Sequence, residues 1–401
     1  MRVLVVCGRW DLVGGSERYA GEVVRELIAR GHQVRVACTG GEQDGADEVR
    51  ICSGLSSSKP SRAERSELAA ACAGRDVTLV LAWINLAALA ELLQGPPLVR
   101  FVQDHTLFCP GLNKLLGDGS PCESPLGMVC IERYWLKGGC SGQKIDGLPA
   151  LLRPLRSLRR ALAEIELVGR CKRVLVASDY MRAELVRSGL DPNNITVLPY
   201  FTRSATPALA AESLDPASAK IWQVPGTFKL FVPARLVLPD KGIDYLLTAL
   251  GQTETNVNLV IAGSGPAEAW LQQKAQDEGL ASRVHFTGWC KPAQVEALYA
   301  ACDGVAFPSV WNEPFGLVGI EAMAHGKPVV AFDVGGVRQW LVPEETGLLV
   351  PRRETLALAK AIDRLAQDSL LCARLGDAGQ SRAREEFSSD KHMSALEQVL
   401  S

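Results

Sequence analysis

The chain has 401 residues, of which 47% are apolar, so it can bury a large core and is long enough for two domains. Its formal charge of −2 leaves no overall basic surface, which argues against nucleic acid as the main partner. No apolar run reaches the roughly 18 residues of a membrane-spanning helix, and the first run, residues 3–7, is too short for a signal peptide. We therefore predict a cytoplasmic protein in which any membrane contact is peripheral and most of the 12 cysteines are reduced.

Continuous apolar runs predict two series of buried parallel strands. The first series comprises residues 3–7, 34–38, 77–82, 98–102, 174–177 and 195–198. The second series comprises residues 228–233, 258–262, 284–287, 304–307, 329–332 and 348–350. Helical periodicity lies between several runs, most clearly over residues 16–30, where Gly31 stops the helix. This alternation predicts an α/β fold with two Rossmann-like halves.

A polar stretch separates the two series. Residues 204–224 are rich in Ala, Ser and Pro and show no clear period, which is typical of a linker. We therefore expect an N-terminal domain over residues 1–203 and a C-terminal domain over residues 225–385. A final helix is expected over residues 386–401.

Residues 307–328 contain the most informative pattern, a loop and a helix between two short buried strands. Pro314 suits the first helical position, where a missing N–H costs nothing, so Glu313 is the predicted N-cap. The amides that follow would face outward at the positive end of the helix dipole, which attracts anions. Glu321 lies roughly one turn further along. Two acids on either side of an anion site would suit a ligand that has hydroxyl groups on both sides of its phosphates. The alternative interpretation is a purely structural one, in which the segment is a capped core helix and both acids are solvated.

Two cations are predicted at the carboxyl edge of the second sheet. Arg235 follows a strand and Lys241 opens the next helix, and α/β folds bind ligands at that edge. Two cations there suit a diphosphate, with a surface salt bridge as the alternative. Gly14 and Gly15 lie between the first strand and helix, where glycine permits close approach to a phosphate, although an ordinary tight turn is the alternative. The segment is not GxGxxG, so the dinucleotide fingerprint is absent.

Taken together, these residues resemble the retaining GT-B glycosyltransferases of the group 1 type, which are family 4-like. The resemblance rests on Glu313 and Glu321 with residues 314–317 between them, Arg235 with Lys241-Gly242, residues 263–266 and Gly14-Gly15. It implies two Rossmann-like domains that face each other across a cleft, with residues 386–401 packed back on the first. It also implies sugar transfer from a nucleoside diphosphate sugar to a saccharide, lipid-linked or small-molecule acceptor, in polysaccharide or glycoconjugate biosynthesis.

The resemblance implies a role for each matching residue. Arg235 and Lys241 would hold the diphosphate, and as preorganised cations they would replace a catalytic metal. Glu313 would contact donor-sugar hydroxyls, and Glu321 would accept from the ribose hydroxyls. The base would lie near residues 286–289. The remaining residues expected to contact the donor are Gly14, Gly15, Gly263, Gly265, Gly288, Trp289, Pro314, Phe315, Gly316, Leu317 and Val318.

Residues 101–110 resemble a family segment that reads His-Asp followed by aromatic residues and Cys-Pro. This chain has Gln103 where the family histidine would be, while Asp104 fits the pattern. His105 could take over a contact to the donor sugar or acceptor only if the strand has already ended, because consecutive strand residues face opposite sides. Asp104 and His105 are therefore ranked above Gln103 as catalytic candidates.

A Gly- and Pro-rich insert over residues 109–147 contains Cys109, Cys122, Cys130 and Cys140. Such a cluster suggests structural zinc or, if oxidised, two disulfides. The spacings lack a CxxC pair, so reduced thiols are favoured over bound metal. Over residues 148–170, arginines alternate with leucines, a pattern that could contact anionic lipid or a lipid-linked diphosphate at the inner face of the membrane. A solvated helix face is the favoured alternative.

Other functions fit the sequence less well. A pyridoxal-phosphate lysine, which a phosphorylase needs, has no sequence basis, and an NAD dehydrogenase is disfavoured by the missing fingerprint. A GT-B epimerase, or a non-catalytic nucleotide-sugar-binding partner of another transferase, stays open. No residue is an obvious covalent nucleophile, so the working hypothesis is a same-face retaining reaction.

Overall fold

A computed structural model of the protein describes residues 1–11, 15–41, 45–82, 84–117, 119–136, 153–203 and 214–401. The chain forms two compact units. The first comprises Met1–Pro199 with Ser389–Ser401, and the second comprises Tyr200–Ser388. Each unit contains one parallel β-sheet with helices between its strands, so the predicted α/β class with two Rossmann-like domains is confirmed.

The sheet of the first unit has seven parallel strands in the order β3-β2-β1-β4-β5-β6-β7. These strands are β1 Arg2–Val6, β2 Gln33–Cys38, β3 Glu48–Ile51, β4 Val77–Val80, β5 Leu98–Val102, β6 Arg173–Val176 and β7 Ile195–Val197. The helices up to β7 are α1 Gly15–Ala29, α2 Arg62–Cys72, α3 Leu86–Leu92, α4 Met128–Leu136, α5 Arg153–Gly169 and α6 Asp179–Arg187.

Strand β3 is absent from the sequence prediction, and its burial explains why. The central strand β1 is covered on both faces, so its sequence is a continuous apolar run. Strand β3 lies at the edge of the sheet and alternates between half-buried and exposed residues. Its polar residues Glu48 and Arg50 interrupt the run that would have marked a strand.

The sheet of the second unit has six parallel strands in the order β10-β9-β8-β11-β12-β13. These strands are β8 Phe228–Pro233, β9 Val257–Ala262, β10 Val284–Gly288, β11 Gly304–Phe307, β12 Val329–Phe332 and β13 Gly347–Val350. The helices are α7 Pro216–Trp222, α8 Ile243–Gly251, α9 Glu268–Asp277, α10 Pro292–Ala301, α11 Leu317–Ala324, α12 Thr355–Gln367 and α13 Ser369–Glu386.

The strand order of the second sheet reverses between β8 and β11, which are hydrogen-bonded neighbours. In open α/β sheets the loops at such a reversal diverge and leave a crevice at the carboxyl ends of the strands. The loop after β8 contains Arg235 and Lys241, and the loop after β11 contains Glu313. The topology therefore brings these two loops to the same place on the sheet.

The predicted linker, residues 204–224, is wrong over its second half. Helix α7 lies inside that range, and Asp215 caps its first turn by accepting from the amides of Ala217 and Ser218. The α7 side chain of Trp222 is buried, and its Nε1–H donates to the Asn258 carbonyl of β9 at 3.3 Å. Residues 204–213 lie outside the described part of the chain.

The last helix, α14 Ser389–Leu400, belongs to the first unit. His392 lies on this helix, where Nδ1 donates to the Pro199 carbonyl at 2.7 Å and Nε2 accepts from the Tyr19 hydroxyl at 2.9 Å. On the same helix Glu397 pairs with His32 at 2.7 Å. The helix is thus tied to the first unit by buried and half-buried polar contacts as well as by its apolar side chains.

Candidate active site

The loops that follow β8 and β11 are fixed against each other by backbone contacts. The amides of Val310 and Trp311 donate to the Asp240 carbonyl at 2.9 and 3.3 Å. Gly242 has a left-handed conformation, with φ of +60°, and a Cβ added there would lie 1.9 Å from the Pro308 carbonyl oxygen. Only glycine fits so close an approach, so the start of α8 is held directly against the loop after β11.

This contact brings two predicted site residues together. The Lys241 Nζ donates to Glu313 Oε1 at 2.6 Å, and the Ser309 hydroxyl donates to the same oxygen at 2.6 Å. The Glu313 side chain is only 6% exposed and the Lys241 side chain 26%, so the ion pair is largely shielded from water. The Lys241 ammonium also lies 5.3 Å from the ring centroid of Trp311, within cation–π range.

Arg235 belongs to the same charged group. It is exposed just beyond β8, and the carboxyl group of Asp240 lies within electrostatic range of it. Burial raises the pKa of Asp240; the positive charges of Lys241 and Arg235 oppose that shift, and the negative charge of Glu313 reinforces it. Two predicted cations and one predicted acid therefore occupy one patch at the carboxyl edge of the sheet.

The predicted start of the central helix is wrong. Helix α11 begins at Leu317, and its N-cap is Gly316 in a left-handed conformation with φ of +101°. Pro314 is therefore not the first helical residue, and Glu313 is not the N-cap. The Glu313 side chain contacts Lys241 instead of the helix amides.

Packing around Phe315 explains why the helix starts late. The Phe315 side chain is buried, and its carbonyl accepts a hydrogen bond from Trp340 Nε1 at 2.8 Å. A Cβ at Gly316 would lie 2.8 Å from the Phe307 ring, and one at Gly319 would lie 2.3 Å from the Trp340 ring. These tertiary contacts hold the residues before Leu317 in a turn, and they override the preference of proline for the first helical position.

The first amides of α11 are correspondingly displaced from the predicted ones. The first amides of a helix have no partner within the helix, and here they belong to Leu317 and Val318, while the amide of Gly319 donates to the Gly316 carbonyl at 3.0 Å. The positive end of the α11 dipole lies at these residues. The sequence predicts that the amide of Phe315 is also one of the first helix amides, but Phe315 precedes the helix.

Glu321 lies one turn into α11 and is half-buried. The hydroxyl of Tyr299 in α10 donates to its Oε2 at 3.1 Å. The Tyr299 ring is itself buried and stacks on His325, with ring centroids 5.0 Å apart and an interplanar angle of 15°. This buried and stacked tyrosine thus orients the Glu321 carboxylate.

Two of the predicted donor-contacting glycines have structural roles. A Cβ at Gly263 would lie 2.0 Å from the Ala234 carbonyl oxygen, and one at Gly265 would lie 2.3 Å from the Leu236 carbonyl oxygen. Both glycines therefore allow the loop after β9 to pack on the backbone that flanks Arg235. Their role is to let these two backbone segments pack together next to Arg235.

The other two predicted residues of this edge are the last residue of β10, Gly288, and the residue that follows it, Trp289. Gly288 has φ of +69°, and a Cβ added there would meet no atom within 4 Å, so its backbone conformation is what favours glycine. The next residue, Trp289, leaves 66% of its surface exposed. An indole this exposed at the carboxyl edge presents a flat face to solvent.

In the first unit, Gly14 lies outside the described residues, and Gly15 is the exposed first residue of α1. Asp104, just after β5, is half-buried, and its Oδ1 accepts from the amide of Thr106 at 2.9 Å and from the Thr106 hydroxyl. This carboxylate stabilises the turn at the end of the strand. Gln103 beside it is half-buried as well.

The sequence predicts that His105 contacts the donor sugar or the acceptor, and the structure places this residue in the interior of the first unit. Its side chain is fully buried, its Nε2 pairs with the Tyr180 hydroxyl at 3.0 Å, and its ring packs edge-on against Phe108. Burial, aided by the nearby positive charge of Lys114, lowers the pKa of His105 to about 3. A neutral imidazole with no access to solvent packs the core of the first unit.

The beginning of the Cys-rich insert is tied into the core. Cys109 and Cys122 are buried, Cys130 is half-buried, all three are free thiols, and Cys140 lies outside the described residues. Within the described part of the chain, no three Cys, His, Asp or Glu residues are arranged to hold a metal ion. Nearby, the buried ammonium of Lys114 pairs with Glu184 of α6 at 2.8 Å.

The basic segment forms helix α5, with Arg156, Arg159 and Arg160 exposed and Leu158 buried. The side chains of the other residues predicted for its basic pattern, at 148–153, fall outside the described part. None of the described helices has the length and apolar character required to cross a bilayer.

Three residues that shape the site are absent from the sequence prediction. Asp240 directly precedes Lys241, and Ser309 lies four residues before Glu313 in the same loop, so a search for nearby polar residues would have found both. Tyr299 comes from a separate helix, and no local pattern links it to Glu321.

Two family models match the chain. The model described as glycosyl transferases group 1 matches residues 216–382, and the model described as glycosyltransferase family 4 matches residues 13–202. Phosphatidyl-myo-inositol mannosyltransferase of Mycobacterium leprae is 38% identical over 149 residues, which are 36% of this chain and 39% of that protein. D-inositol 3-phosphate glycosyltransferase of Streptomyces bingchenggensis is 29% identical over 259 residues, 60% of this chain and 55% of that one. The chain thus spans less than two thirds of the length of these curated relatives.

Solved structures agree on the fold over the full length. HepE of Anabaena, in a crystal structure with UDP, matches with a TM-score of 0.72 and 21% identity, covering 100% of this chain and 99% of that one. A glycosyltransferase of Rickettsia africae matches with a TM-score of 0.72 and 16% identity, covering 99% and 97%. These likenesses show the GT-B fold. The two family models, which together span most of the chain, show that it belongs to the group 1, family 4-like glycosyltransferases.

Proposed function

We propose that the protein transfers a sugar from a nucleoside diphosphate sugar to a hydroxyl of a saccharide, lipid-linked or small-molecule acceptor, with retention at the anomeric carbon. The observation that carries the proposal is the convergence of Lys241, Arg235 and Glu313 at the strand-order reversal of the second sheet. Family membership and the complex of HepE with UDP support a nucleotide donor.

The charges suit a leaving diphosphate. As the anomeric bond breaks, negative charge grows on the diphosphate, and cations already in place stabilise that state more than the ground state. Lys241 and Arg235 would supply the charge, and the first amides of α11 would donate to a phosphate oxygen. We propose that these groups carry the reaction without a catalytic metal.

The acids suit the two ends of the donor. Glu313 beside the cations would accept from hexose hydroxyls, and Glu321, oriented by Tyr299, would accept from the ribose hydroxyls. The exposed indole of Trp289 would stack against the base, since every base has an aromatic face.

Retention is proposed to follow a same-face course, in which the leaving phosphate helps to deprotonate the acceptor hydroxyl. Glu313 is poorly suited to covalent attack because Lys241 and Ser309 both bond to its carboxylate and spread its charge. The anomeric configuration of the product tests this course. An inverted linkage would reject it.

The acceptor is proposed to bind in the first unit, where Asp104 at the end of β5 is a candidate contact. The exposed arginines of α5 support peripheral contact with anionic head groups at the inner face of the membrane. Co-sedimentation with vesicles of phosphatidylglycerol and phosphatidylcholine tests this contact, with pure phosphatidylcholine vesicles as the control. Replacement of Arg156 and Arg159 by Gln should release the protein from the anionic vesicles; unchanged binding would reject the role of α5.

The donor proposal is tested by thermal shift with a panel of nucleotide sugars, followed by mass spectrometry of released nucleoside diphosphate. We expect at least one donor to raise the melting temperature and to release its nucleoside diphosphate slowly by hydrolysis. Conversion of the sugar nucleotide to an epimer would favour the epimerase instead. Binding without turnover, even with acceptors present, would favour the non-catalytic partner.

A further inference from the structure

The two carboxylate oxygens of Glu313 have different surroundings. Oε1 receives both the Lys241 ammonium and the Ser309 hydroxyl, each at 2.6 Å. Within the described part of the chain, no hydrogen bond or ion pair reaches Oε2, and Oε2 is not among the buried polar atoms that lack a partner. Oε2 is therefore the oxygen left to accept from a ligand.

The backbone of Glu313 is also fixed. Its carbonyl accepts from the amide of Gly336 at 2.7 Å, and a Cβ at the neighbouring Gly335 would lie 2.3 Å from that carbonyl oxygen. With the backbone held by this glycine pair, the direction of Oε2 depends on the side-chain torsions alone. The groups bonded to Oε1 set those torsions.

Lys241 and Ser309 differ in how firmly they can hold Oε1. Lysine has a flexible side chain and three N–H donors. Under the proposed function, some of the donors of the Lys241 ammonium bind the diphosphate instead of Glu313. The Ser309 hydroxyl is on a short side chain, 2% exposed, in the loop directly after β11. It has one proton to donate, and Glu313 Oε1 receives it.

We propose that Ser309 is a positioning residue: its hydroxyl anchors Glu313 Oε1 so that Oε2 faces the sugar of the donor while Lys241 engages the diphosphate. This inference rests on the proposed function. It assigns to Ser309 a part of the affinity for the sugar, separate from the affinity for the nucleoside diphosphate.

The test compares intact donors with their nucleoside diphosphates by isothermal titration calorimetry, using UDP-glucose with UDP and GDP-mannose with GDP. A lost hydrogen bond of this kind weakens an interaction by about tenfold. For Ser309→Ala we therefore expect the affinity for the bound donor to fall about five- to tenfold, while the affinity for the matching diphosphate stays within about twofold. Ser309→Thr, which keeps the hydroxyl, should restore most of the difference.

Two further variants separate positioning from general damage. Ser218→Ala removes another buried hydroxyl of the same unit, one that bonds to Asp215 at the start of α7, and should leave the ratio of the two affinities unchanged. In a Glu313→Gln background, Ser309→Ala should cause little additional loss of donor affinity, because both changes act on the same contact.

The outcomes are distinguishable. Equal losses for donor and diphosphate in Ser309→Ala would overturn the positioning role and leave the proposed function standing, and so would full additivity with Glu313→Gln. A wild-type protein that binds neither diphosphate nor donor would overturn the proposed donor class, and this inference with it.

Discussion

Replacing Lys241 by methionine removes the ammonium that faces the Glu313 carboxylate and keeps most of the aliphatic stem. Removing one partner of a fully buried ion pair costs about 3–5 kcal/mol, because a charge is left without compensation. Here the carboxylate side chain is 6% exposed, but the lysine side chain is 26% exposed and Ser309 keeps its bond. Water can replace part of the ammonium, so we expect Lys241→Met to lower the free energy of unfolding by about 2–3 kcal/mol.

The double variant Lys241→Met with Glu313→Gln separates this effect from lost packing. Because the charge of residue 313 is removed as well, the free energy of unfolding should fall by only about 1 kcal/mol relative to the wild type, although one more residue has been changed. Urea unfolding followed by circular dichroism measures both, with each transition fitted separately because a chain of two units need not unfold in one step. If the single variant is as stable as the double variant, Lys241 does not neutralise Glu313, and the electrostatic reasoning fails.

Three further predictions concern the scaffold. Burial lowers the pKa of His392 to about 4, whereas the pKa of histidine in an unfolded chain is near 6.5. Because the unfolded chain takes up the proton first as the pH falls, the free energy of unfolding should drop by about 2 kcal/mol between pH 7 and pH 5. In urea unfolding, His392→Gln should show a flatter dependence of stability on pH. Lys114→Met should cost about 2 kcal/mol in urea unfolding, because the Glu184 carboxylate, 4% exposed, loses its buried partner and keeps only its ion pair with the more exposed Arg187; an unchanged midpoint would contradict the buried pair. Gly319→Ala should cost about 2 kcal/mol, since the added methyl group meets the Trp340 ring at 2.3 Å, and a blue or red shift of tryptophan emission should accompany the loss.

The fold could be predicted from the sequence because most strands are buried on both faces. Strands such as β12, in which every residue is buried, are continuous apolar runs that need no tertiary information to recognise. The half-exposed edge strand β3 has no such run. Helix α7 falls in the predicted linker because it is short and its stretch is rich in alanine, serine and proline, and its packing on β9 and β10 is invisible in the sequence.

The site was predictable where one rule of sheet geometry determines it. Ligand-binding loops follow the carboxyl ends of parallel strands, and that rule located Lys241 and Glu313 near each other although 72 residues separate them. The start of α11 was not predictable, because buried contacts of Phe315 overrule the local preference of Pro314. The burial of His105 was not predictable for a similar reason: its partner Tyr180 lies 75 residues away.

The central claim is that the second unit holds the donor diphosphate at the reversal between β8 and β11. A crystal structure of the protein soaked with UDP tests it most directly. We expect the phosphate oxygens within about 3 Å of the Lys241 ammonium and of an amide at the start of α11, with the Arg235 guanidinium turned toward them. Density for the diphosphate elsewhere on the molecule, with these groups left in solvent, would contradict the account.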